Sequence, residues 1–477
     1  MKTSAVSPGR AGLFLLLTGL MLPQIDTSIT NVALDSITAS LHASATQLEL
    51  IVALYGVAFA VCLAMGSKLG DNYGRRRLFM WGVAIFSLAS LLCGLANSIS
   101  ALLAARTLQG AGAALIVPQI LATLHVTLKG TAHARAISLY GGIGGVSFIV
   151  GQMFGGWLVS ADIAGLGWRN AFFINVPIGL LVLALSRRYV PETRRDEHAS
   201  IDWQGTLSLG LILCCLLFPM ALGPELHWPW SMRLMLLAII PLLLWMRASA
   251  LGKEQRGEHP LLPPRLLKLA SIRFGMVIAL LFFSAWSGFM FCMALTMQSG
   301  LGMAPWQSGN SFVALGVAYF LSALYAPKLI ARHSMGKILL AGLAVQISGL
   351  LLLLETFHHF AQATTTLALV PSTALIGYGQ ALIVNCFYRV GMRDITANDA
   401  GAGSALLSTL QQATLGLGPA VFGSLLLALM RNHHGSYPQA MMGFLGVEVA
   451  MMLLLAVIAI GLRHHLNRSP QLAASSS

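Results

Sequence analysis

The sequence predicts an all-α integral membrane protein whose fourteen transmembrane helices fall in a 6 + 2 + 6 arrangement, with both chain ends in the cytoplasm. Three observations carry this expectation. Apolar residues make up 56% of the chain and charged ones only 9%, where a soluble domain carries about a quarter of charged residues. Stretches of roughly 19 to 23 residues almost free of charge recur from end to end, enough to cross a hydrocarbon layer about 30 Å thick as helices. The basic residues gather in alternate loops. The sequence shows neither the short alternating segments of a β-barrel nor the charged outer stripes of a soluble bundle.

Taken in order, the first six spans run Gly12 to Leu34, Gln47 to Lys68, Leu78 to Asn97, Leu102 to Leu124, Ala136 to Val159 and Trp168 to Tyr189. Two more, Gln204 to Leu222 and Met232 to Ala250, stand between polar segments. The last six run Arg273 to Met297, Gly309 to Ile330, Gly336 to Thr356, Thr366 to Tyr388, Gly401 to Met430 and Met441 to Leu462. Met1 to Arg10 forms a short polar tail before an uncleaved first helix. With that tail inside, the inner loops collect Arg75, Arg76, Arg77, Lys129, Arg135, Arg187, Arg188, Arg194, Arg195 and most of the later Lys and Arg residues. The outer loops hold little more than Arg169, Arg233 and Arg431. An even number of spans keeps the two sets apart.

The net charge of +13 would suggest nucleic acid in a soluble protein. Placed in alternate loops it reports topology, so the expected partner is the bilayer and not nucleic acid. Cys62, Cys93, Cys214, Cys215, Cys292 and Cys386 all fall in apolar stretches without C-x-x-C spacing and read as small core residues. Pro191 to Ser200 and Leu251 to Ser271 are the two long inner segments and read as linkers. They divide the chain into a six-helix half at 1–190, a linker plus two extra helices at 191–272, and a second six-helix half at 273–477. Lys68-Leu69 before Asp71 and Gly74 is echoed by Lys328-Leu329 before Arg332 and Gly336. Repeats of this kind place a substrate site near mid-membrane between the halves.

The most specific string is Gly66-Ser-Lys-Leu-Gly70-Asp71-Asn-Tyr-Gly74-Arg75-Arg76-Arg77, which resembles motif A of the major facilitator superfamily. Its glycines let helices and a tight turn approach closely, Asp71 can face a helix amino terminus, and the arginines suit an anionic inner surface. Arg106-Thr-Leu-Gln109-Gly110-Ala-Gly112 is similar to motif B of that superfamily. Trp168-Arg169-Asn170 through Asn175-Val176-Pro177-Ile178-Gly179 is similar to the sixth-helix signature of its fourteen-helix drug:proton antiporters. Asp26-Thr27-Ser28-Ile29-Thr30-Asn31-Val32-Ala33-Leu34 resembles their first-helix motif, with Gln24 and Ile25 in place of a preceding Leu and Asp35 in place of Pro. Gly141, Gly142, Gly144, Gly145, Gly151, Gln152, Gly155 and Gly156 resemble antiporter motif C, with Gln152 in place of its Pro. Loss of that proline removes the expected kink or leaves it to the glycines. The glycines alone also suit close backbone packing.

The resemblance implies a major facilitator fold working by alternating access, with Asp71 as a latch that docks on the other half in the outward-open state. It also implies the export of hydrophobic or amphipathic small molecules in exchange for protons. The chain is then expected to be a multidrug efflux carrier of the cell inner membrane, monomeric, with protons as coupling ion and no cofactor. A dedicated exporter of one metabolite and a non-transporting membrane sensor are the alternatives.

An acid buried in a membrane is functional by default. Asp26 is the expected proton carrier, unless Asn31 or Ser28 caps it permanently. Arg106 lies at a similar depth, about 8 to 12 Å from the outer face by helical rise, so the two can pair and Arg106 can modulate the acid. Glu448 is a possible second proton site or a packing group. Glu49 and Glu355 stand at span ends and are expected to face water. Phe282, Trp286, Phe289, Met293 and Met297 share one face of the ninth span, a soft aromatic surface suited either to substrate or to lipid. Asn31, Tyr55, Gln109, Tyr319, Asn385 and Gln411 are the polar candidates for orienting a ligand. Ile376-Gly377-Tyr378-Gly379 reads as helix packing and not an ion filter. The His pairs at 358, 433 and 464 fall at separate loop ends, so no metal site is expected. No phosphate-loop string occurs, and the chain is not expected to be an enzyme.

Overall fold

Long apolar runs closed by polar caps set the elements. The computed structural model describes residues 8–194, 200–258, 260–396, 399–432 and 435–462. The first six long helices are α1 (Arg10–Leu41), α2 (Ala45–Tyr73), α3 (Arg75–Leu95), α4 (Ile99–Thr127), α5 (Gly130–Ala161) and α6 (Gly167–Tyr189). Next come α7 (Trp203–Leu222) and α8 (Trp230–Gln255). The last six are α9 (Ala270–Gly300), α10 (Pro305–Arg332), α11 (Met335–Phe360), α12 (Thr366–Gly391), α13 (Ala400–Asn432) and α14 (Tyr437–Gly461). Thirteen helices among the described residues are long and apolar enough to cross a membrane. The fifth expected span coincides with α5, a helix of 32 residues. Arg195 and the His pairs at 433 and 464 lie outside the described residues.

Tight caps keep the connections short. Ser44 Oγ accepts from Gln47 N at 3.3 Å while Gln47 Oε1 accepts from Ser44 N at 2.9 Å, a reciprocal cap that starts α2 three residues after α1 ends. Ser98 starts α4 and Thr365 starts α12 in the same way through one bond each. The first helix runs seven residues past the expected Leu34, because a hydropathy window stops at Asp35 and Ser36 whereas the backbone continues until His42 turns left-handed at φ 53°.

The packing repeats itself. In the first half α3 packs on α4, α2 on α4, α1 on α5 and α3 on α6; eight helices later α11 packs on α12, α10 on α12, α9 on α13 and α11 on α14. The two main contacts between halves, α2 with α13 and α5 with α10, exchange under the same relation. At the α2–α13 crossing a Cβ on Gly416 would stand 2.6 Å from the carbonyl carbon of Gly56 and 2.7 Å from Val57 N, so two glycines are what lets these backbones touch. Gly377 and Gly379 of α12 pack in the same manner on α10 at Leu315 and α11 at Gln346. α7 lies on both α2 and α13. α8 packs on α7 and exposes Leu234, Leu237, Ile240 and Leu244, an apolar surface suited to lipid.

Asp202 fastens this pair. Its carboxylate accepts from Gly205 N at 2.7 Å, from Leu261 N at 2.8 Å and from Lys253 Nζ, joining the start of α7, the end of α8 and the linker beyond. Burial pushes the Asp202 carboxyl up, but the Lys253 ammonium and the two amides outweigh it and hold the carboxyl below its ordinary range. A group depressed on folding stabilises fully above its unfolded pKa of about 3.9 and loses that contribution as pH falls below it. Asp202→Ala is therefore expected to speed tryptic cleavage at Lys253 and Arg256 severalfold at neutral pH, with helix content unchanged. Parental resistance in that variant would mean the clamp holds nothing.

Candidate functional site

Five helices of the first half converge on Asp26. It sits on α1, three residues after Pro23, and is fully buried together with Arg106 and Gln109 of α4 and Ser90 of α3. Arg106 Nη1 donates to Asp26 Oδ2 at 2.5 Å, and Gln109 Nε2 and Asn175 Nδ2 of α6 donate to Oδ1 at 2.7 and 3.1 Å. The same two amides reach Ser90 Oγ at 2.6 and 3.1 Å. Every contact on the carboxyl is a donor, so the arrangement suits the charged carboxylate. The alternative caps are absent: Ser28 Oγ donates to the Gln24 and Ile25 carbonyls, and Asn31 Oδ1 has no partner.

Arg106 is held from its other side as well. Its Nε donates to the Ile51 carbonyl of α2 at 3.1 Å, its Nη1 to Gln109 Oε1 at 2.5 Å, and its Cζ lies 4.4 Å from the Tyr55 ring centre and 5.7 Å from that of Phe172. Tyr55 in turn donates to the Pro23 carbonyl at 3.3 Å. An ion pair without water is stable only when hydrogen bonds satisfy both partners, and here all but Nη2 of the guanidinium is engaged. Taking a proton on Asp26 breaks the charge balance of the whole cluster, which is the chemistry such a site can perform.

The loop between α2 and α3 is tied to its own half. Gly74 has φ +104°, a backbone that favours glycine, and a Cβ there would stand 2.7 Å from Glu192 Oε1. Asp71 accepts from Arg75 Nη2 at 2.6 Å and Nε at 3.1 Å, and Arg75 N donates to the Thr193 carbonyl at 2.9 Å. Arg76 N donates to Glu192 Oε1 at 3.0 Å and its guanidinium to the Arg187 and Val190 carbonyls. Gly66 and Gly70 let α2 lie on α4 beside Ala114 and Gln119. Asp71 thus pairs with Arg75 and not with the second half.

The halves meet at the opposite ends of the helices. Gln298 Nε2 donates to the Asn31 carbonyl at 3.2 Å, Ser299 Oγ to Asp35 Oδ1 at 2.9 Å, and Trp306 N to Ser160 Oγ at 3.1 Å. On α5, Gly151 and Gly155 face Ser28 and Ile29 of α1, and Gly156 faces Pro305 of α10. The helix runs unbroken through Gln152, whose buried amide has no partner on either atom and whose carbonyl abuts Gly309. Gly145 lies in the same helix; its surroundings fall outside the described residues.

In the second half Trp286, Tyr319, Asn385, Tyr388 and Gln411 are each half-buried. The Trp286 and Tyr319 rings lie 5.9 Å apart, and Tyr388 donates to Gln411 Oε1 at 2.6 Å beside Ser408. Asn385 instead donates to the Ala381 carbonyl of its own helix at 2.8 Å. Phe282, Phe289, Met293 and Met297 are fully buried in the protein core, so neither lipid nor an open cavity meets them. A π-helical turn at Ala279–Phe283 rotates α9 just before Trp286. Glu448 is buried on α14 with both carboxyl oxygens unpartnered. Glu355 is exposed and pairs with His359 at 2.8 Å.

Glu49 requires a correction. The expectation of a water-facing side chain fails, because its side chain is fully buried against Gly423 and Ser424 of α13. Asn175 stands in the sixth-helix signature without a role attached to it, while Ser90, Tyr388 and Ser408 carry no such signal: each is an uncharged polar residue in an apolar span, too common a feature to distinguish a site from a packed hydroxyl or phenol.

Known proteins resemble this chain in architecture and, at lower levels, in sequence. A peptide transporter structure in complex with sulfate superposes with a TM-score of 0.71 at 14% identity, covering 98% of this chain and 97% of that one. A D-xylose-proton symporter superposes with a TM-score of 0.65 at 12% identity over 94% and 96% of the two chains. In sequence, the chain is 33% identical to a probable actinorhodin transporter of Streptomyces coelicolor, over 88% of this chain and 73% of that protein. It is 30% identical to the cephamycin export protein of Amycolatopsis lactamdurans, over 96% and 93%. A multidrug resistance protein of Mycobacterium tuberculosis is 30% identical over 86% and 74%. The family model described as Major Facilitator Superfamily matches residues 16–419, so this multi-pass membrane protein belongs to the Major Facilitator Superfamily.

Proposed function

We propose that the protein is a proton-driven exporter of hydrophobic or amphipathic small molecules, working by alternating access. The observation that carries this is the sealed Asp26–Arg106 pair, a costly charge cluster inside a membrane whose charge a proton on Asp26 would change. Relatives named for the export of, or resistance to, antibiotics and drugs support the substrate class. In this reading fourteen helices cross the cell inner membrane with both ends in the cytoplasm, Asp26 carries the proton, Arg106 reads its charge, and Glu448 is available as a further acid. The substrate meets Trp286, Tyr319 and Gln411 from the second half, whereas Tyr55 and Gln109 are buried in the Asp26 cluster and Asn31 is buried on α1, so these three do not line an open cavity in this state. The protein acts as a monomer without cofactor.

With both chain ends in the cytoplasm, the inter-half contacts at the α1–α2 and α9–α10 ends correspond to a state closed to the outside. Asp71 engages its own Arg75 here and turns to the second half only when the inner side closes. Asp71→Asn is therefore expected to leave expression and dye binding nearly intact while slowing turnover about tenfold, the size of a lost charged contact of roughly 1.4 kcal/mol. Normal turnover would remove the latch. The function itself is tested with everted membrane vesicles and a panel of apolar fluorescent dyes. Accumulation that follows an imposed pH gradient and stops when the gradient is collapsed supports proton antiport. Indifference to every dye would favour a dedicated metabolite exporter.

A further inference from the structure

Glu49 is the buried acid that the transport scheme above does not use. It sits in the second turn of α2, near the crossing with α13, and has no ion-pair partner among the described residues. The titratable groups facing it are Glu225 from the α7–α8 connection and Cys292 from α9, with Glu448 of α14 beyond Cys292. None of these supplies positive charge.

A count of hydrogens decides its state. Ser424 Oγ of α13 lies 2.8 Å from the Met220 carbonyl of α7 and 3.1 Å from Glu49 Oε2. A hydroxyl has one hydrogen, and a carbonyl can only accept. The Met220 carbonyl needs that hydrogen: its helical donor would be the amide of residue 224, which is Pro224 and has none. With Ser424 donating to Met220, the contact to Glu49 holds a hydrogen only if the carboxyl brings it. A neutral carboxyl also fits an apolar site where a carboxylate without a cation would cost several kcal/mol. Glu49 Oε1, left without a partner, is then a carbonyl oxygen and not half of an anion.

The geometry points to Glu49 as a second proton-binding site, whose carboxyl hydrogen joins the outer ends of α2, α7 and α13 through Ser424. Closing the outer side takes one proton from the outer solution onto the Glu49 carboxylate; opening it wets the carboxyl and returns that proton to the same side. The proton is not carried across. It sets how readily the outer side opens, so external acid favours closure and external alkali favours opening. That this end opens and closes, and that it is the outer one, rests on the alternating access proposed above.

The test measures distance, not transport, and so survives a failed efflux assay. Spin labels are placed at the exposed positions Ser40 and Asn432 as Ser40→Cys and Asn432→Cys in an otherwise cysteine-free full-length chain in nanodiscs. The Asp26→Asn change silences the other buried acid of the first half. The open-to-closed ratio is expected to rise about tenfold per pH unit above its midpoint, the slope of a single linked proton. Glu49→Gln, which keeps a donor toward Ser424, is expected to stay closed throughout. Ser424→Ala, which removes the acceptor, is expected to move the midpoint to lower pH and covers the case in which Glu49→Gln fails to fold. A flat parental response, a parental slope in Glu49→Gln, or an unmoved midpoint in Ser424→Ala would overturn the assignment.

Discussion

Asp26→Asn is expected to yield a protein that binds dye and equilibrates it across the membrane but no longer concentrates it against a gradient. The reason lies in the donors around the carboxylate. Arg106, Gln109 and Asn175 all point hydrogens at it, and an amide can neither carry the negative charge that answers Arg106 nor take up a proton. The cluster is then frozen in one charge state, and the two conformations lose the energetic difference that protonation supplies. Tryptophan fluorescence titration should show dye affinity within a few-fold of the parent, while proteoliposomes show counterflow exchange without uphill efflux. Uphill efflux at the parental rate would remove Asp26 from the coupling step.

Arg106→Ala has the largest expected effect on folding. It leaves the Asp26 carboxylate in a dry site with only two amide donors and opens a void beside Tyr55 and Phe172. Breaking a buried ion pair from one side costs about 3 to 5 kcal/mol, enough to lower the aggregation temperature in detergent markedly. The combined change Asp26→Asn with Arg106→Met, which removes both charges and keeps apolar volume, is expected to recover most of that loss and none of the uphill transport. If Arg106→Ala is as stable as the parent, the pair contributes nothing to the fold. If the combined change is no more stable than Arg106→Ala, the damage comes from the void and not from the stranded charge.

Much of this was legible because the bilayer imposes one rule on every span. Each long helix has to be apolar over about 20 residues, and its polar exceptions stand out: Asp26 and Arg106 are conspicuous, and their similar depth allows the contact that the structure contains. What a span's own residues do not encode is what packs against them. Phe289, Met293 and Met297 share a face at helical spacing, a pattern that lipid and protein core produce alike; burial by α13 and α14 decides between them. Glu49 follows the Ser44 cap so closely that it reads as a residue at the water's edge. It is dry because Gly423 clears room and Ser424 arrives from a helix nearly four hundred residues on, with Pro224 upstream in α7's exit creating the need for its hydroxyl. Gln152 is a visible departure from motif C, but α5 runs unbroken just as α1, α4 and α13 do with Pro23, Pro118 and Pro419 inside them, so the missing proline is not by itself what keeps it whole.

The proposed scheme stands on proton uptake and release at Asp26 driving the movement of substrate bound elsewhere, at the second-half surface. Its most direct test is the internal pH of proteoliposomes when a dye gradient is imposed and no pH gradient exists. The account predicts that dye moving one way drives protons the other way, with the proton signal absent in Asp26→Asn although dye still moves. Dye movement by the parent without any proton signal, or an undiminished signal in Asp26→Asn, would contradict it.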